Sequence, residues 1–136
     1  MGRTKFGERI VTSEYRIFPD GILRRHVGAL TSAKVIESRH KTETIPHFTA
    51  LRWMISDLRE VTSVDIPPGV MEDLVASAIG ASFSNDRIRI AIVATREEVI
   101  AVARQFIDAV PHYPMRIFST LDEALEWVGV VDKGIV

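Results

Sequence analysis

Asp57 and Asp65 bracket one polar stretch, Asp57-Leu58-Arg59-Glu60-Val61-Thr62-Ser63-Val64-Asp65, which Ser56 joins to the apolar run Leu51-Arg52-Trp53-Met54-Ile55. Two carboxylates beside the carboxyl end of a strand lie where open α/β sheets place ligand sites. Acid/base work by such a pair needs pKa values driven apart by the surroundings. The structural alternative is simpler and is preferred: Asp65 caps the next helix and Asp57 caps loop backbone, each accepting from an unpaired N–H. His26, His40, His47 and His112 contain no i, i+4 pair and no Glu-bearing metal motif, so no metal site is expected. Isolated glycines exclude a phosphate loop or a dinucleotide fingerprint, and no Gly-x-Ser-x-Gly elbow presents a serine nucleophile. The absence of cysteine removes thiol catalysis, disulfides and thiolate metal ligation. The expectation is a protein with no catalytic residue, no metal and no cofactor.

The whole-chain properties point the same way. A length of 136 residues fits one domain over 1–136, and 46% hydrophobic residues suffice for a buried core. Lys+Arg of 17 against Asp+Glu of 18 gives a net charge of -1, without the cationic excess that drives binding to nucleic acid. Charges interrupt every apolar run below the roughly 18 residues that suggest a membrane span. Residues 1–10 carry Arg3, Lys5, Glu8 and Arg9 with no apolar segment after them, which predicts no cleaved signal and a cytoplasmic location.

The elements that must position any site follow from pattern and punctuation. Ile10 to Ile17 and Ile22 to Leu30 flank Phe18-Pro19-Asp20-Gly21, a hairpin turn in which Gly21 accepts positive φ. Arg24 and His26 fall on the face of the second strand that carries Ile22, opposite Leu23 and Val27. Thr31 or Ser32 caps a helix reaching about Thr44, thin in apolar residues. Leu51 to Ile55 reads as a central strand, 57–65 as a polar loop, and Ile66-Pro67-Pro68-Gly69 as the lead into a helix with Val70, Leu74, Val75, Ala78 and Ile79 inward. Arg87 to Ala94 is an inner strand. Thr95 to Glu98 has capping-box spacing before a helix ending near Val110, Met115 to Phe118 is a strand, and Thr120 to Glu123 repeats the box before the last helix. Arg24, Arg25, Arg87 and Arg89 read as solvated strand residues. Trp53, Trp127, Phe83, Phe106 and Phe118 read as core, with an apolar cavity as the other option.

This order, together with two segments, resembles the sulfate-transporter and anti-sigma-antagonist (STAS) domain, and more closely its SpoIIAA-like relatives, which share the lipid-binding CRAL-TRIO-type superfold. Ile55 to Asp65 is similar to the family's strand, Asp-Leu, short loop and Asp before the regulatory helix. Arg116-Ile117-Phe118-Ser119-Thr120-Leu121-Asp122-Glu123-Ala124-Leu125-Glu126-Trp127 is similar to its final strand and helix. The resemblance implies an α/β sandwich: a mixed sheet of about five strands, opened by a hairpin and covered by about four helices. It also implies a non-catalytic regulatory domain that binds a protein partner through Asp57, Glu60, Thr62, Ser63, Asp65, Ile66, Gly69 and Met71. One departure bears on regulation: the anti-sigma antagonists carry a phosphorylated Ser after the loop Asp, whereas here Ile66, Pro67 and Pro68 follow Asp65. The phospho-switch is therefore expected to be absent, and nothing in their context singles out Thr62 or Ser63 as replacements. The alternative function is a carrier or sensor of a small apolar ligand, a lipid or fatty acid, held between sheet and helices. A hairpin edge or the tail Val130 to Val136 offers a contact for a homodimer.

Overall fold

Alternating apolar and polar residues on either side of Phe18-Pro19-Asp20 make the first two strands. In the computed structural model, which describes residues 12–111 and 113–130, β1 (Thr12–Ile17) pairs antiparallel with β2 (Gly21–Thr31). The expectations for residues 1–11, for His112 and for the tail beyond Val130 lie outside the described residues. The Phe18 N–H donates to the Gly21 carbonyl at 2.8 Å and closes the turn. Gly21 does not hold positive φ; among the described glycines Gly28 and Gly129 do. Its role is space, because a Cβ there would stand 1.8 Å from the indole of Trp53, its register partner on the neighbouring parallel strand.

The remaining order is α1 (Ser32–Glu43), β3 (Trp53–Asp65), α2 (Pro68–Ser82), β4 (Arg89–Val93), α3 (Glu97–Ala109), β5 (Met115–Phe118) and α4 (Leu121–Val128). The strands lie in sequence order, parallel from β2 onward, so the chain is an α/β fold with a five-stranded mixed sheet and four helices, as expected. Because neighbouring side chains on a strand point to opposite faces, Ile22, Met54, Ile90 and Met115 pack under the α1–α3 layer. Leu23, Trp53, Ile55, Ala91 and Val93 pack with Ala124 and Leu125 of α4 on the other face.

The starts of two of the four helices follow the expected capping chemistry. Thr31 Oγ1 accepts from the Lys34 N–H at 3.3 Å, and Thr120 Oγ1 from the Glu123 N–H at 3.2 Å. The box expected at Thr95 does not form: α3 starts one residue later, with Arg96 at the cap position and no side-chain cap bond.

The largest correction is to the polar loop. Residues 57–65 continue β3, pairing with the second half of β2 as far as Thr31 opposite Asp65. Two register irregularities, between Arg25/Val27 and between Gly28/Ala29, put extra residues in β3. They space the inward residues Leu58, Val61 and Val64 by three instead of two, so the segment loses strand periodicity. Phe83 is likewise corrected, being 83% exposed where core was expected.

Candidate functional site

A cavity of about 200 Å³ lies between the sheet and the α1–α3 layer. Its walls are divided by chemistry. Polar side chains come from β2, from α1, from Ser56 of β3 and from Tyr113, whereas α2, α3 and β4 supply apolar ones such as Leu74, Ala78, Ile90, Val99 and Phe106. The register explains the division, since Arg24 sits beside Ser56, and Ser56 beside Ile92.

Arg24, read from the sequence as a solvated strand residue, faces this cavity. Its Nε and one terminal nitrogen donate to Ser56 Oγ at 3.2 and 2.7 Å, and the other terminal nitrogen donates to Thr42 Oγ1 at 3.1 Å. Thr42 Oγ1 in turn donates to the Ser38 carbonyl at 2.9 Å. Burial of the guanidinium lowers its pKa to about 10, against the opposing pull of Tyr15 and Glu43. Arg39 donates to Ser77 Oγ, which also lies within hydrogen-bond reach of the Glu43 carboxylate, so α1 and α2 meet through one hydroxyl. Arg39 Nε and the Tyr113 hydroxyl are buried in the lining without a hydrogen-bond partner among the described residues. Burial pushes Tyr113 up to about 12.

His26 completes the polar end. Its Nδ1 lies 2.8 Å from Ser13 Oγ and its Nε2 3.4 Å from Ser38 Oγ. Burial first, then the charges of Arg24 and Lys34, push its pKa down to about 4, so the ring is neutral near pH 7.

The structure divides the eight residues expected to form one surface. Thr62, Ser63, Asp65 and Gly69 are exposed around the end of β3 and the start of α2. Ile66 and the buried Met71 line the cavity directly beneath them. Asp57 and Glu60 stand apart. Asp57 is buried on the α4 side, where Arg59 Nε and a terminal nitrogen donate to its two oxygens at 2.9 and 2.8 Å and the Arg59 backbone N–H donates at 3.2 Å. Glu60 is exposed and pairs with Arg25.

Asp57 accepts a backbone N–H as expected, that of Arg59, whereas Asp65 does not cap the next helix. The α2 cap position is Pro67, with no side-chain bond, and Asp65 is engaged through its carbonyl, which accepts from Ser32 Oγ at 3.4 Å. Nor do the two carboxylates meet: at about 3.3 Å of rise per residue, opposite halves of β3 hold them on the order of 20 Å apart. Among the described residues no group of three metal-binding side chains occurs.

Asp57 is instead a structural ion pair with a predictable cost. Burial disfavours its charge, but the side-chain and backbone hydrogen bonds from Arg59, with the charges of Arg59 and Arg25, outweigh it and hold the carboxyl below its usual range. Stability from such a group is complete above the unfolded pKa and is lost as pH falls through the folded one, here below about pH 4. Asp57→Asn is expected to destabilise by about 1–3 kcal/mol, less than for a fully buried pair because Arg59 turns to water. Urea unfolding at neutral pH checks this, and an unchanged midpoint contradicts it.

Sequence reasoning missed Arg24, Arg39, Thr42 and Ser56. A signal existed in α1, whose buried positions are Ser38 and Thr42, one helical turn apart. A helix that turns hydroxyls inward lines something polar.

No protein-family model matches the sequence, and no curated protein sequence matches it. Solved structures match in fold. An uncharacterized protein of the DUF3478 family from Shewanella loihica, described as having a SpoIIAA-like fold, is 15% identical, over 91% of this chain and 99% of that one, with a TM-score of 0.61. The anti-sigma factor antagonist SpoIIAA in its unphosphorylated form is 20% identical, over 90% and 100%, with a TM-score of 0.59. The Bacillus cell fate determinant SpoIIAA in its phosphorylated form is 17% identical, over 88% and 99%, with a TM-score of 0.51. The likeness is one of architecture, and the chain has a SpoIIAA-like fold.

Proposed function

We propose that this SpoIIAA-like fold serves as a non-catalytic regulatory domain that docks a protein partner on the surface around the end of β3 and the start of α2. The observation that carries the reading is the exposure of Thr62, Ser63, Asp65 and Gly69 together at this junction. Its support from outside the chain is the fold shared with an anti-sigma factor antagonist. Ile66, Pro67 and Pro68 offer no hydroxyl at the start of α2, so docking is not controlled by phosphate there. Asp57 is removed from the docking set because its carboxylate is committed to Arg59. Among the described residues no helix is long and apolar enough to cross a membrane.

Gly69→Arg tests the surface with little risk to the fold, because a Cβ at Gly69 meets nothing within 4 Å and α2 gains a better helix former. Combined with Asp65→Lys, it is expected to reduce partner capture at least about tenfold, equivalent to about 1.4 kcal/mol. Glu126→Lys, on exposed α4, is the control and leaves capture unchanged. Undiminished capture by the double variant rejects this surface.

A second reading, a carrier or sensor of a small apolar ligand, is favoured by the cavity. Its volume exceeds the roughly 150 Å³ of an engineered apolar cavity that holds benzene. The two readings share a wall, since Ile66 and Met71 line the cavity under the exposed junction.

A further inference from the structure

Two guanidinium groups, Arg24 and Arg39, line the polar end of the cavity, against one carboxylate, Glu43. Among the described residues neither arginine forms an ion pair. Buried cations are ordinarily paired with an anion, because hydroxyl acceptors return only part of the lost hydration. Among the described residues the acceptors of Arg24 are Ser56 and Thr42, while a guanidinium carries about five N–H donors. Arg39 contributes a buried Nε that has no acceptor among the described residues. The neutral His26 adds no compensating charge.

The remaining walls have a different chemistry. The α2, α3 and β4 walls present Leu74, Ala78, Ile90, Val99 and Phe106, with no charged side chain from those elements in the lining. Ala78 of α2 and Ala103 of α3 are small where larger residues would fill the space. The cavity thus combines cationic groups from β2 and α1 with apolar walls from α2, α3 and β4.

We infer that the cavity takes a monocarboxylate with a short to medium acyl chain, its carboxylate on Arg24 and Arg39 and its chain between α2, α3 and β4. A planar carboxylate matches the forked donors of a guanidinium, and a single negative charge balances the excess of one cation over Glu43. The chain gains by leaving water for an apolar wall, at roughly 0.8 kcal/mol per buried methylene. This inference rests on the ligand reading above and assigns it a head, a tail and an orientation.

The test is titration calorimetry of the full chain with decanoate, decanol and decyl phosphate, followed by the same titrations on Arg24→Met and Ala78→Phe. Decanoate is expected to bind saturably at one site, at least tenfold tighter than decanol and than decyl phosphate. Arg24→Met should erase the preference over decanol, and Ala78→Phe should weaken both decanoate and decanol. Equal binding of decanoate and decanol to the unmodified chain overturns the carboxylate anchor while leaving an apolar ligand site standing. Tighter binding of decyl phosphate overturns the choice of carboxylate. No binding by any of the three overturns the ligand reading itself. The comparison on the unmodified chain needs no variant to fold.

Discussion

Replacing Gly21 with alanine is expected to cost about 3 kcal/mol or more of folding stability, at the upper end of what overpacking a core usually costs. The added methyl would stand 1.8 Å from Trp53 Cε2 and 2.3 Å from Nε1. The indole has little room to yield: Trp53 is 3% exposed and packs against the Phe18 ring at 5.5 Å between centroids. Alanine narrows the unfolded ensemble and returns only about 0.4–1 kcal/mol. Relief must therefore come from backbone movement at the first pairing of β2 with β3. Urea unfolding of Gly21→Ala and of Gly69→Ala makes the contrast, since Gly69 has open space around it and its alanine variant should be at least as stable as the parent. A second measurement isolates the cause: adding Trp53→Leu to Gly21→Ala should restore part of the loss, giving a favourable coupling between the two sites. An unchanged midpoint for Gly21→Ala would show that Trp53 does not press on this strand.

The second large effect is a loss of stability between about pH 6.5 and about pH 4, assigned to His26. Its folded pKa is pushed down to about 4 from the ordinary 6.5 by burial, then by Arg24 and Lys34. Above the ordinary value both states bind no proton here, and the contribution is flat. Between the two values the unfolded chain takes up a proton that the folded chain refuses, so stability falls as pH falls. The window is worth on the order of 3 kcal/mol at about 1.36 kcal/mol per unit. His26→Gln keeps a polar partner for Ser13 and removes the titration, so its stability should be level across that window. Parallel slopes for the two proteins from about pH 7 to about pH 4.5 would remove His26 as the cause. Asp57 acts lower on the scale, which separates the two contributions.

Much of the architecture is legible in the residues. The capping residues Thr31 and Thr120, the Pro67-Pro68 start of α2 and the strand Met115–Phe118 follow local rules, and the structure places them where those rules do. What escaped has particular causes. The second half of β3 was hidden because two added residues turn Leu58, Val61 and Val64 inward at intervals that belong to no regular strand. Gly21 looked like a turn residue, and only its pairing with Trp53 reveals that it is needed for its missing side chain. Arg24 shares the apolar face of β2 with Ile22, but whether that face meets water at Arg24 depends on how α1 crosses it. The hydroxyls that receive it, on Thr42 and Ser56, are distant in sequence and come together only in the folded chain. The candidate site was thus legible in its outer residues and illegible in its inner ones.

The unequal partnering of β3 has a consequence for how the molecule comes apart. Trp53 to Asp57 are held between β2 and β4, whereas the pairing from Glu60 to Asp65 is with β2 alone. Local opening free energies rise with the burial and bonding of the segment that opens. The outer half of β3 is therefore held less firmly than its inner half and opens at lower cost, ahead of any global unfolding. Val64 on that half lines the cavity, and Ile66 follows just beyond it. Transient fraying of this two-stranded ribbon would give a buried tenant a way in and out without disturbing the strands beneath α4.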